Sequence, residues 1–144
     1  MQVLSFTVEG KPHGKGRPRT TVRGRFATHY TPAKTVAYEK LVAESAKRVF
    51  SGEPFAGPVS LTLEIVMPWP AATPKAKRLT KPYAPVKSDI DNVVKAICDG
   101  LNGIVWVDDA QVVHLVARKR RGIIGYVQCT VGLMTDEEGA GGYA

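Results

Sequence analysis

The amino-acid sequence predicts a single small α/β (α+β) domain in which a mixed β-sheet is packed by two main helices. Three observations predict it. The chain has 144 residues, 44% of them hydrophobic, which is enough for one packed core and too little for two. Segments near the beginning, middle and end of the chain alternate apolar and polar residues with period two. Two further segments carry apolar residues at helical spacing.

Taken in order, residues 2–9 set Leu4, Phe6 and Val8 against Val3, Ser5 and Thr7, the pattern of a strand. Residues 17–30 read as a basic hairpin turning near Arg23-Gly24. In "TPAKTVAYEKLVAESAKRVFSG", Thr31 is the expected N-cap, Pro32 the first helical position and Gly52 the residue past the end. Tyr38, Leu41, Val42, Ser45, Ala46 and Val49 share one face. "VSLTLEIVM" at 59–67 alternates Val59, Leu61, Leu63, Ile65 and Met67 with Ser60, Thr62 and Glu64, a half-buried strand. Five prolines in residues 68–88 argue against any helix or central strand there and predict a long, mobile, basic loop. Ile90, Val93, Val94, Ile97 and Leu101 predict an amphipathic helix over 90–101, with Asp89 at or next to its N-cap and Gly103 beyond its end. Residues 111–118 and 123–134 read as a hairpin with "KRRG" at its turn. The domain is expected over 1–134, followed by a flexible, glycine-rich acidic tail at 135–144.

Charge narrows the partners. The net charge is +7, from 20 basic and 13 acidic residues. Three of the acids, Asp136, Glu137 and Glu138, lie in the tail, so residues 1–135 set 20 basic residues against 10 acidic ones. The basic residues gather in "GKPHGKGRPRTTVRGR", "PKAKRLTKPYAPVK" and "RKRRG", three clusters suited to a polyanion. Lys11, Lys15, Arg17 and Arg19, with Lys75, Lys77, Arg78 and Lys81, are the expected phosphate contacts. No run of about 18 apolar residues exists and the start lacks the pattern of a signal peptide, so a soluble, intracellular protein with no membrane partner is expected, cytoplasmic and nucleoid-associated when on DNA. Cys98 and Cys129 lack metal-ligand spacing and are expected as buried thiols.

Against this basic background, five aspartates fall between Asp89 and Asp109. Singly, each has an ordinary explanation: Asp89 as a cap, Asp91 as a helix-dipole partner, Asp108-Asp109 as a turn. Together they have the composition of a hard-cation site, all carboxylate oxygen with no histidine or cysteine. At 100° per residue Asp91, Lys95 and Asp99 lie within about 80° of one another, and a strand packed beside the helix would return Asp108-Asp109 towards the helix start. Acidic ligands among basic loops point to phosphodiester hydrolysis with magnesium.

The stretch "DIDNVVKAICDGLNGIVWVDDAQVV", with "KGRPR" at Lys15 to Arg19, resembles the signature of the RusA family of Holliday-junction resolvases. The resemblance implies a small α/β homodimer that cuts four-way DNA junctions with magnesium, or manganese in its place. It places Asp89, Asp91 and Asp109 as catalytic metal ligands and Lys95 as the essential lysine. Two-fold symmetry of the junction independently calls for a two-fold dimer.

Asp108 is open between a direct ligand and a residue that orients Asp109. Asp99 is expected to be a structural acid, Trp106 a core residue and Glu64 a solvated charge. Trp69 and Tyr83 are open between stacking on unpaired bases and packing. His13, His29 and His114 form no spaced set. Two rival classes remain, a non-enzymatic DNA-binding module and a phosphohydrolase of small substrates.

Overall fold

A computed structural model describes residues 2–136. Its strands are β1 (Gln2–Glu9), β2 (Arg19–Arg23), β3 (Phe26–Tyr30), β4 (Val59–Pro68), β5 (Val112–Gly122) and β6 (Tyr126–Leu133), and its helices α1 (Ala33–Lys47), α2 (Lys75–Thr80) and α3 (Ile90–Leu101). A four-stranded sheet has the order β1-β6-β4-β5, and β2-β3 forms a separate two-stranded ribbon. The pair β4-β5 is parallel, whereas β6 runs antiparallel to both β1 and β4. The sheet is therefore mixed, and two main helices pack it. Residues 137–144 of the expected tail lie outside the described residues.

The alternation in the strands decides which face is covered. Val59, Leu61, Leu63, Ile65 and Met67 of β4 are buried with Phe6 and Val8 of β1 and Val127, Cys129 and Val131 of β6. They meet Tyr38, Val42 and Ala46 of α1 and Val93, Ala96, Ile97 and Leu101 of α3 in one core. The opposite face is polar: Ser5 bonds Thr130 at 3.1 Å, and Glu64 accepts from Arg118 at 3.0 Å and Arg120 at 2.6 Å. Glu64, expected as a solvated charge, thus pairs two arginines across the parallel register. Both cysteines are buried thiols, and burial pushes Cys98 up to about 12.

The two main helices approach closely because Gly100 lies at their crossing. A Cβ there would come within 2.8 Å of the Val42 side chain and 2.9 Å of the Glu39 carbonyl. That approach brings the α1 surface next to the charged face of α3.

Four local expectations are corrected. The α1 cap position is taken by Pro32, one residue after the expected Thr31, with its extended ψ of 143° compatible with a fixed proline φ. Val49, expected on the buried face, is exposed because the helix ends at Lys47. The proline-rich stretch contains the six-residue helix α2, which starts immediately after Pro74. There the missing proline N–H breaks no helical bond. The expected β5-β6 hairpin does not pair, because β4 lies between the two strands. Accordingly "KRRG" belongs to β5, and residues 123–125 make the connection.

Candidate active site

Asp89 occupies the α3 cap position with φ −64° and ψ 144°, yet its side chain caps no amide. Asp91 follows in the first turn. Among the described residues, neither carboxylate has a hydrogen-bond or ion-pair partner, so capping does not explain Asp89. Both line a cleft of about 770 Å³ together with Lys87, Ile90, Arg118 and Lys119. The positive end of α3 and these basic side chains moderate the repulsion between the two acids. Lys119 is structural as well: its ammonium donates to the carbonyls of Val86 at 2.5 Å and Ser88 at 2.7 Å, which ties the segment before Asp89 to β5.

One turn further along α3, charge is paired. Lys95 reaches Asp99 at 3.2 Å and Asp109 at 3.4 Å. Asp99 also takes Lys15 at 2.5 Å, and Lys15 takes Glu39 of α1 at 3.0 Å. The hydrogen bond to Asp99 is the main cause of the raised pKa of both lysines. Burial pulls Asp99 upward, but the two ammonium groups outweigh it and hold its carboxyl below the usual range.

Asp109 owes its place to a short 3-10 turn, Asp109–Gln111, which leads into β5. The Asp108 carboxylate accepts from the Ala110 amide at 3.1 Å, and Gln111 accepts from the Val107 and Asp108 amides while donating to the carbonyls of Phe55 and Gly57. Asp108 therefore caps the turn that presents Asp109. This anchoring sets Asp109 beside the second and third turns of α3, whereas the expected return was to the helix start. Among the described residues, no three side chains of ligating type form a metal-holding group. The donor chemistry of Asp89 and Asp91 nevertheless suits a hard cation: two unpartnered oxygen ligands beside a cleft with room for water and phosphate.

The expected phosphate contacts divide. Lys11, Arg17, Arg19, Lys75, Lys77 and Lys81 are exposed and lack ion-pair partners among the described residues. Lys15 is held by two carboxylates, and Arg78 donates to the carbonyls of Pro70, Ala71 and Thr73 within its own loop. Trp106 is fully buried and donates its indole N–H to Asn102 at 2.7 Å. Trp69 lies under the Arg121 guanidinium at 4.9 Å, and Tyr83 is exposed. Sequence reasoning missed Glu39, Ser88, Asn92, Gln111 and Lys119, all acting through tertiary contacts. Only Asn92 and Gln111 had a signal, their fixed places after Asp91 and after Asp108-Asp109.

The family model for endodeoxyribonuclease RusA matches residues 9–131, a span that includes Lys15, Asp89, Asp91, Lys95, Asp99 and Asp109. The chain is also 33% identical over 127 residues to the uncharacterized protein YqaN of Bacillus subtilis (strain 168), covering 83% of this chain and 88% of that protein. No helix among the described residues is long and apolar enough to cross a membrane. With the match running through both the basic segment and the acidic helix, the chain belongs to the endodeoxyribonuclease RusA family.

Proposed function

We propose that this protein is a magnesium-dependent, structure-selective endodeoxyribonuclease that resolves four-way DNA junctions by paired phosphodiester hydrolysis, working as a homodimer in recombination and repair. The observation that carries this reading is the pair of unpartnered carboxylates, Asp89 and Asp91, in a basic-walled cleft at the start of α3. Family membership directs it to DNA.

Asp89 and Asp91 would hold the cation, with Asp109 as a third carboxylate presented by the turn that Asp108 caps. Bound magnesium supplies polarisation of the scissile phosphate and activation of water. Lys95 places an ammonium where charge develops on the phosphoryl or leaving oxygen. Exposed basic side chains in residues 11–19 and 75–81 hold the arms through backbone phosphates, which position the substrate without reading its sequence. Manganese, with the same preference for oxygen ligands, would serve in place of magnesium.

The test compares incision of a synthetic four-way junction with that of linear duplex in magnesium. Symmetric paired nicks confined to the junction are expected. Tight binding without incision would instead make the protein a DNA-binding module, and turnover of a chromogenic phosphomonoester with none on DNA would make it a small-substrate phosphohydrolase.

A further inference from the structure

The basic segment before β2 runs into the interior of the domain. Pro12 is buried, and the His13 ring lies 5.9 Å from that of Tyr38. The Gly14 amide donates to Ser88 Oγ at 3.1 Å, the Lys15 amide to the Asn92 carbonyl at 2.8 Å, and the Gly16 amide to Thr35 Oγ1 at 3.0 Å. Ser88 and Asn92 bracket Asp89 and Asp91 in the chain, so two bonds donated by strap amides, one to a side chain and one to a carbonyl, clasp the turn that carries both acids. A Cβ on Gly14 would meet Ser88 Cβ at 2.7 Å and Asn92 Cβ at 3.1 Å. Only glycine lets the strap pack this closely on the Ser88 and Asn92 side chains.

The Lys15 side chain continues the clasp. Its ammonium lies between Glu39 at 3.0 Å and Asp99 Oδ2 at 2.5 Å, while the other oxygen of Asp99 faces Lys95 at 3.2 Å. An ammonium held by two carboxylates presents little net positive field to a phosphate. By occupying Oδ2, it leaves Asp99 one oxygen for Lys95, whose ammonium is then shared with Asp109.

We infer that residues 12–16 are a positioning strap for the active site, in which Lys15 acts through Asp99 to hold Lys95 and Asp109, and is not a phosphate contact. This rests on the nuclease reading above.

The test is a double-mutant cycle of Lys15→Met and Asp99→Asn, read by single-turnover junction cleavage, by affinity against salt, and by amide exchange in the protein alone. Lys15→Met is expected to slow cleavage about tenfold while affinity stays within about twofold. Its log-log salt slope should not change. Asp99→Asn should slow cleavage similarly, and the double variant should lose no more than about twofold beyond either one, as for members of one network. Exchange at the Val93 amide, which bonds the Asp89 carbonyl at 3.1 Å, should rise about tenfold with exchange in β4 unchanged. A slope reduced by about 0.9 with the cleavage rate retained would make Lys15 a phosphate contact and overturn the inference. Multiplicative loss in the double variant would overturn it too. Lys15→Gln, which is one atom shorter but keeps a donor while removing the charge, decides the same question if Lys15→Met does not fold. If the wild type incises no branched DNA, the nuclease reading fails, whereas Val93 exchange still decides whether the strap holds the turn: unchanged exchange in the Lys15 variant sinks it.

Discussion

At the residue scale, Lys95 is the side chain whose two roles separate most cleanly. Its ammonium is shared by Asp99 and Asp109 and its side chain remains 56% exposed, so its ion pairs alone contribute at most about 1 kcal/mol of stability. In the catalytic role proposed above it would contribute more. Lys95→Ala is expected to slow single-turnover cleavage about a hundredfold, about 2.7 kcal/mol of barrier, with little change in affinity. Lys95→Arg should rescue poorly, since a planar fork does not replace a compact ammonium. A rate within about threefold of wild type would leave only the ion-pair role. Asp89→Asn and Asp91→Asn should abolish incision with junction binding intact or stronger. Because neither acid has a partner to lose, thermal melting should show a stability change within about 0.5 kcal/mol; cleavage near the wild-type rate at saturating magnesium would remove that residue from the ligand set. Asp109→Asn should also abolish incision, but it loses the Lys95 contact as well.

Asp99 links the residue scale to pH. Its folded pKa is depressed, so its contribution is present above the unfolded value, about 3.9, and is lost as pH falls through the folded value. Lys15 and Lys95 are raised, so theirs is complete below about 10.4 and is lost as pH rises through the folded values. The melting-temperature gap between wild type and Asp99→Asn is therefore expected to be widest between about pH 5 and 9 and to narrow on both sides. Equal gaps at pH 3 and pH 7 would show that the ion pairs contribute nothing.

At the element scale, the crossing of α1 and α3 controls how the charged faces meet. Gly100→Ala would gain about 1 kcal/mol in helix propensity, but its methyl would press on the Glu39 carbonyl at 2.9 Å as well as on Val42. Backbone does not yield as a flexible side chain does, and overpacking costs about 1 to 3 kcal/mol. A net loss in denaturant midpoint is expected. Since Glu39 and Asp99 are moved apart by the same shift, cleavage should slow beyond what the fraction unfolded explains. A stabilised variant with full activity would show that the crossing has slack.

At the scale of the whole molecule, the exposed basic residues act as a sum. Six of the expected contacts, Lys11, Arg17, Arg19, Lys75, Lys77 and Lys81, remain free of partners among the described residues. Junction affinity should fall steeply with salt, and neutralising any four of them should flatten the slope by about 3.6 for duplex-like arms. An unchanged slope in that variant would assign those charges to solvation alone. Paired nicking by a dimer further requires the rate of double-strand resolution to fall on dilution below the dimer dissociation constant while single nicks persist. Sedimentation at matched concentrations checks this.

What the sequence determined by itself is local or rests on contiguous pattern. Periods of two and 3.6 identified β1, β4, α1 and α3, and the fixed spacing from Asp89 to Gln111 marked the candidate site and its family. Pairing was not legible. The order β6-β4-β5 separates two strands that adjoin in sequence, because β4 is apolar enough to be buried between them, and nothing in a strand's own residues records which neighbour it takes. Likewise Lys15 reads as one more cation in a basic run. Only the folded chain brings it beside Glu39, 24 positions away, and Asp99, 84 positions away, where two nearby carboxylates change its role from attracting phosphate to holding a helix. Asp89 shows the converse: its position predicts a cap, and only tertiary geometry leaves its carboxylate unpartnered in the cleft. Local periodicity is written by residues a few positions apart, whereas charge pairing depends on distance in space.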